Sequence, residues 1–197
     1  MKLQDRLPDS VTVGKKRIKV DLDFRNVLRM METLAREDLT FDAREYLALK
    51  CICRNVPKDT EAALAAVKAI LFPETKKAAS KEKVTDFEQD ADLIRAAFLQ
   101  VYGINLWREK LHWMEFSGLL HAIPEGNRYS EVLGIRTRPM PKPTKYNADE
   151  RQWLAKAKAE YAVRLTDREQ EQGLKDGLRR VAESLIALAE TGGGKNG

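Results

Sequence analysis

Cysteine and histidine, the side chains that most often bind zinc or act in covalent catalysis, occur only twice each among the 197 residues of the chain. Cys51 and Cys53 are separated by one residue, whereas a structural zinc site usually needs C-x2-C and a second pair of ligands. We therefore expect two reduced thiols, buried or half-buried on a helix. His112 and His121 would lie on opposite sides of an ideal helix, which disfavours a joint metal site.

The chain also lacks the short motifs of common enzymes. The patterns G-x-G-x-x-G, H-E-x-x-H and G-x-S-x-G and the P-loop are all absent, so we expect no enzyme and no cofactor. No apolar run approaches the roughly 18 residues of a membrane helix. The N-terminus has no apolar core of a signal peptide. These absences predict a cytoplasmic protein that does not bind a membrane.

What the chain does have is enough apolar sequence for a folded core, with 43% apolar and 33% charged residues. The net charge of +5 comes from 35 basic residues among 30 acidic ones, which favours mixed, solvated surfaces over a nucleic-acid groove. The apolar spacing predicts a mainly α fold (α+β): a small N-terminal β-hairpin, a multi-helix bundle and an additional C-terminal helical segment.

Changes in composition divide the chain into segments. Pro139, Pro141 and Pro143 alternate with other residues and favour an extended path, which marks the best boundary. We expect Gly134 to end a short helix just before that boundary. The predicted segments are the β-hairpin 1–22, the helical core domain 23–134, the Pro-rich linker 135–146, the C-terminal helices 147–190 and the flexible tail 191–197.

The predicted hairpin, SVTVGKKRIKV, carries a basic turn. Its cations could bind phosphate, but a lysine-protected edge strand is the simpler interpretation. These cations are Lys15, Lys16, Arg17 and Lys19.

Capping residues and apolar spacing predict the helices that follow. Asp21 or Asp23 should cap the first helix. Tyr46, Leu47 and Ile52 are expected to face inward on the second helix. Asn147, three residues before a glutamate, should open a capping box at the start of the C-terminal helices.

The stretch DFEQDADLIRAAFLQVYGINLW opens with carboxylates at alternate positions. An EF-hand would need Gly and Glu where Ala91 and Ala97 stand. On a helix, alternate residues point to different faces, so these carboxylates cannot converge on one metal. We expect Asp86 to cap a helix, with Glu88 and Asp90 solvated beside its positive N-terminus.

Near the C-terminus, apolar residues recur at steps of four, three, four and three, which is a heptad stripe. Two glycines weaken this helix, so it should need a partner surface, in the same chain or in another one. The stripe consists of Leu174, Leu178, Val181, Leu185 and Leu188.

Several short patterns together resemble the bacteriophage gene-product-fifteen family over roughly residues 5–165. The similar patterns are the acidic helix start at 86–94, the Y-G-I-x-L turn at 102–106, L-H-W at 111–113, the leucine pair 119–120, G-I-R at 134–136, Leu7-Pro8 and D-F-R at 23–25. The helix predicted at 167–190 is not part of the resemblance.

The resemblance implies a protein of the tail gene cluster in tailed phages and prophages, with no catalytic residues. It suggests a tail-assembly chaperone that binds the tape-measure protein and other tail proteins in the host bacterial cytoplasm and self-associates. Aromatic residues often anchor interfaces, so Trp107, Trp113 and Phe116 are candidate partner contacts, together with the heptad stripe. For at least two of these three aromatic residues, packing in the core is the expected alternative. The alternatives are a structural virion component of the tail or neck and a nucleic-acid-binding regulator that uses the basic hairpin turn.

Overall fold

The computed structural model describes residues 4–73 and 83–164. Contacts group the chain up to Tyr161 into one compact unit and the chain from Ala162 onward into a second. The heptad stripe, the tail and most of the charged segment before Asp86 lie outside the described residues, so the predictions made for them stay predictions. The division of the chain into five segments likewise stays a prediction.

The N-terminal hairpin is confirmed. Strands β1 (Ser10–Val13) and β2 (Lys16–Lys19) pair antiparallel, with Val11 opposite Ile18. Gly14 has φ 58°, a left-handed conformation that glycine adopts without strain and that a two-residue hairpin turn requires. Val11 is buried and β1 packs against the third helix. On the exposed side, Arg17 is bound by Asp9 at 3.5 Å and by the Ser10 hydroxyl at 2.7 Å.

The mainly helical fold is also confirmed. Seven helices occupy the described part of the chain. They are α1 (Phe24–Ala35), α2 (Phe41–Ile52), α3 (Thr60–Leu71), α4 (Ala91–Tyr102), α5 (Trp113–His121), α6 (Arg128–Thr137) and α7 (Ala148–Glu160).

Helices α1 and α2 pack against each other, and α2 also packs on α3. As predicted, Asp23 caps α1, accepting a hydrogen bond from the Arg25 backbone N–H at 3.0 Å. Ile52 is buried as predicted, but the inward orientation expected for Tyr46 and Leu47 is wrong, because these residues are 47% and 39% exposed. The buried face of α2 instead includes Glu45, whose carboxylate accepts a hydrogen bond from the Thr60 hydroxyl at 3.0 Å.

The chain just before α1 is joined to the chain just before α5. The Phe24 N–H donates to the Leu111 carbonyl at 2.9 Å, and the Trp113 N–H donates to the Leu22 carbonyl at 2.7 Å. Between them, His112 caps α5: its Nδ1 accepts from the Met114 N–H at 3.2 Å. Its Nε2 lies 3.1 Å from the Pro8 carbonyl oxygen, so this histidine is occupied by structural contacts.

Helices α6 and α7 differ from expectation at their starts and ends. Gly134 was expected to end α6, but the helix continues to Thr137. Asn147 precedes α7 without the predicted capping box, because its side chain is engaged upstream. There it accepts from the Thr144 N–H at 2.8 Å and donates to the Lys142 carbonyl at 2.9 Å.

Candidate partner-binding groove

The acidic stretch forms a turn before it forms a helix. Asp86 was expected to cap α4, but its carboxylate accepts from the N–H groups of Glu88 at 3.0 Å and Gln89 at 2.8 Å, in the turn before the helix. Helix α4 begins only at Ala91, with Asp90 at the capping position. An aspartate that binds the N–H groups two and three residues later stabilises such a turn by itself, which is why the helix starts later than predicted.

Asp90 is buried, which corrects the expectation that it is solvated. Its side chain is 1% exposed and is bound by Arg136, itself 7% exposed. Arg136 Nη1 and Nη2 donate to the two carboxylate oxygens at 2.7 and 2.8 Å, a bidentate geometry that fixes both side chains. Burial of this carboxylate depends on a partner 46 residues away along the chain, which no local pattern reveals.

Arg136 has two further hydrogen bonds. Its Nη1 donates to the Val84 carbonyl at 2.9 Å, and its Nε donates to the Tyr161 carbonyl at 2.6 Å. One guanidinium therefore joins the chain before α4, the start of α4 and the residue after α7. We call Asp90, Arg136 and these two carbonyls the arginine junction.

Next to this junction lies an aromatic cluster. Phe116 stacks on Phe24 with ring centroids 4.6 Å apart and on Phe98 at 5.2 Å. Phe87, in the turn before α4, lies 6.1 Å from Trp113 and 6.2 Å from Phe116. Trp113 is 5% exposed and Phe116 1% exposed, so the structure places both of these predicted partner contacts in the core.

A surface groove of about 170 Å³ opens above this cluster. Apolar side chains from four segments line most of it, and they converge only in the folded chain. The apolar lining residues are Phe24, Leu28, Phe87, Ala91, Ile94, Leu106 and Phe116, and Trp107, Arg25 and Arg95 complete the lining.

Trp107 is the only one of the three predicted aromatic contacts that is exposed, at 70%. The Arg95 guanidinium lies 4.0 Å from its ring centroid, a cation–π contact that restrains the indole beside the groove. Gly103, at φ 68°, ends α4 in the left-handed conformation and turns the chain back toward the groove. The Asn105 side chain then accepts from the Trp107 N–H at 3.0 Å, which fixes this loop.

The two arginines of the groove are paired within the protein. Arg95 binds Asp92 at 2.8 Å, and Arg25 binds Asp23 at 2.9 Å. Burial of the Asp23 carboxyl acts to raise its pKa, but the hydrogen bonds and charge of Arg25 outweigh that effect and lower the pKa below the usual 3.8. Since each cation has its own carboxylate, the groove offers an apolar surface with little net charge.

Residues 4–73 and 83–164 contain neither of two further kinds of site. No group of three or more histidine, cysteine, aspartate or glutamate side chains there is arranged to hold a metal ion. In the same residues, no helix has both the length and the apolar character needed to span a membrane.

The fold and the groove define a mainly α-helical protein with an N-terminal β-hairpin and an apolar surface groove beside an exposed tryptophan. The family described as Bacteriophage Gp15 protein matches residues 3–163, and the chain belongs to this family. The resemblance inferred from the short patterns is thereby confirmed. No curated protein and no solved structure matches the chain. Family membership indicates a structural or morphogenesis protein of a bacteriophage.

Proposed function

We propose that this protein is a phage tail morphogenesis factor, a tail-assembly chaperone that binds the tape-measure protein in the host cytoplasm. Membership of the phage family supports a role in virion morphogenesis. The observation that supports binding is the apolar groove beside the exposed Trp107. An exposed tryptophan next to an apolar depression is typical of protein-binding anchors.

The size of the groove favours a side chain of a protein partner over a small molecule. Its volume of about 170 Å³ lies below the roughly 300–1,000 Å³ of typical small-molecule pockets. An amphipathic helix presents apolar anchors every three or four residues, and such an anchor would enter the groove while Trp107 covers its flank. The tape-measure protein is long, so many copies of this chain would shield successive anchors until the tube protein replaces them.

Self-association through the heptad stripe is also part of the proposal, although the stripe lies outside the described residues. The double variant Leu178→Glu, Leu185→Glu places charges in that stripe. We expect it to reduce the oligomer size measured by light scattering, and an unchanged oligomer would remove this part of the proposal.

The principal experiment is co-expression with the tape-measure protein of the same phage, followed by size exclusion with light scattering. We expect the tape-measure protein to be soluble only in the complex, and Trp107→Ala to reduce co-elution strongly. Trp153→Ala is the matched control, because Trp153 is also exposed, at 55%, but lies on α7 away from the groove lining.

If both variants co-elute like the parent protein, the groove is not the binding site. If the tape-measure protein stays insoluble and this chain is found in purified virions by mass spectrometry, a structural component of the tail or neck replaces the chaperone proposal.

A further inference from the structure

The chain that follows α7 is connected to the groove by one buried side chain. Tyr161 is the last residue of the first compact unit, and its carbonyl accepts the Arg136 Nε–H at 2.6 Å. The opposite side of the same guanidinium binds Asp90 and the Val84 carbonyl. Phe87, which lines the groove, lies in the short segment between Val84 and Asp90.

That short segment depends on Asp90 for its geometry. Asp90 Oδ2 accepts from the Asp86 N–H at 3.0 Å, and Asp86 in turn holds the N–H groups of Glu88 and Gln89. The Thr85 hydroxyl adds a 3.1 Å hydrogen bond with Tyr129 of α6. Displacement of Asp90 would therefore change the turn that carries Phe87.

Tyr161 is held in place from the other side. Its hydroxyl accepts from Arg128 Nη2 at 2.5 Å, and its ring centroid lies 5.2 Å from the same guanidinium. Lys158, in the last turn of α7, donates to the Arg136 carbonyl at 2.7 Å. The end of α7 thus contacts both the side chain and the backbone of Arg136.

We infer that Arg136 is a positioning residue for the groove, through which the docking of Tyr161 sets the position of the Phe87 wall. A guanidinium is planar and its donors have fixed directions, so it cannot follow a moving Tyr161 carbonyl and keep its two-pronged contact with Asp90. At 7% exposure, the guanidinium has little access to solvent that could replace a lost partner. Release of Tyr161 therefore loosens residues 84–90.

The consequence for partner binding rests on the proposed function of the groove, whereas the coupling itself does not. Displacement of the chain at Tyr161 would move the Phe87 wall and so change the shape of the groove that binds the partner. A chaperone that must release its partner would gain a release mechanism from this connection.

Hydrogen exchange measured by mass spectrometry on the full chain tests the coupling without any partner. Tyr161→Ala keeps the backbone carbonyl but removes the ring and the hydroxyl through which Arg128 holds this residue in place. We expect it to release the Arg136–Tyr161 hydrogen bond and to accelerate exchange in residues 84–90 by up to about fivefold, the factor that corresponds to complete loss of one hydrogen bond. Tyr161→Phe, which keeps the ring and loses only the hydroxyl, should give a smaller acceleration. Trp153→Ala, an exposed aromatic on the same helix, should leave exchange in this segment unchanged.

Helices α2 and α3 provide the internal reference, because they pack against each other, α1 and β1 and do not line the groove. If Tyr161→Ala leaves exchange in residues 84–90 unchanged, the coupling is overturned. If it accelerates exchange in α2 and α3 equally, the variant has only lowered global stability and the coupling is likewise overturned. An increase in exchange rate that is confined to residues 84–90 supports the coupling.

Co-elution with the tape-measure protein separates the coupling from the proposed function. If exchange rises but neither Tyr161→Ala nor Trp107→Ala affects co-elution, the coupling stands and the groove is not the binding site. If Trp107→Ala abolishes co-elution while exchange in Tyr161→Ala is unchanged, the groove binds the partner and the coupling is wrong.

Discussion

Two neighbouring parts of the interior are held together by different forces. The aromatic cluster around Phe116 consists of apolar surfaces in close contact, with stacked rings 4.6 and 5.2 Å apart. The arginine junction consists of one buried ion pair and two hydrogen bonds to backbone carbonyls. The groove depends on both parts, since Phe116 belongs to the first and Phe87 is carried by a turn that the second fixes.

This difference predicts different responses to substitution. Apolar packing is not directional, so removing one methyl group costs a fraction of the contact energy and neighbouring side chains partly refill the space. A buried ion pair is directional, and removal of either partner is strongly destabilising because it leaves the other charge buried and unpaired. Substitutions in the aromatic cluster should therefore lower stability in proportion to the atoms removed. In the arginine junction, substitution of either charged partner should remove the whole contribution of the ion pair.

The largest expected effect comes from Arg136→Met. It leaves the Asp90 carboxylate, 1% exposed, without its cation, and we expect the free energy of unfolding to fall by about 3–5 kcal/mol. Urea unfolding followed by circular dichroism measures this change. The double variant Asp90→Leu, Arg136→Met removes both charges and should recover much of the loss. If the free energy of unfolding falls by less than about 1 kcal/mol in the single variant, an unpaired Asp90 carboxylate is not costly and the prediction is wrong.

A smaller effect is expected from Ile94→Val in the apolar part. Ile94 is 3% exposed and lines the groove, so loss of one methyl group should lower the free energy of unfolding by about 0.5–1.5 kcal/mol. Leu99→Ala on the same helix is the control: it removes more atoms, but Leu99 is 56% exposed, so the change should stay within about 0.5 kcal/mol. Urea unfolding compares the two variants. If both lower the free energy of unfolding equally, burial of the substituted side chain does not determine the loss of stability.

The parts of the fold that local sequence determines were predictable. The hairpin follows from alternating apolar residues and a glycine turn, and Asp23 caps α1 because its side chain binds a backbone N–H two residues away. The parts that depend on distant partners were not predictable. Glu45 is buried with its carboxylate bonded to the Thr60 hydroxyl, 15 residues away, and Tyr46 and Leu47 lie on the exposed side of α2.

The same distinction applies to the candidate site. The aromatic residues were found by type, but type alone could not tell that Trp113 and Phe116 are buried while Trp107 is exposed. A useful signal was present: Trp113 and Phe116 are three residues apart, the spacing of one buried helix face, whereas Trp107 lies in a loop. The arginine of the G-I-R pattern could be seen, but its partner Asp90 could not be assigned without the fold.

The smallest expected effect is a loss of stability at low pH, and it arises from two carboxylates at the edges of these two parts. Burial acts to raise the pKa of Asp23 and of Asp86, but hydrogen bonds and neighbouring cations outweigh it, so both pKa values lie below the usual 3.8. A carboxyl whose pKa is lowered on folding stabilises the protein above its unfolded pKa and loses that contribution as the pH falls through its folded pKa.

The free energy of unfolding should therefore be level near neutrality and fall below about pH 4. Asp9 and Asp38 also have lowered pKa values, but they are fully exposed and solvent screens their pairs, so Asp23 and Asp86 should dominate this change. Urea unfolding at successive pH values measures it. The variant Asp23→Asn, Asp86→Asn should be less stable at neutral pH and should show a shallower fall in acid. If its acid dependence equals that of the parent protein, the loss does not originate at these two carboxylates.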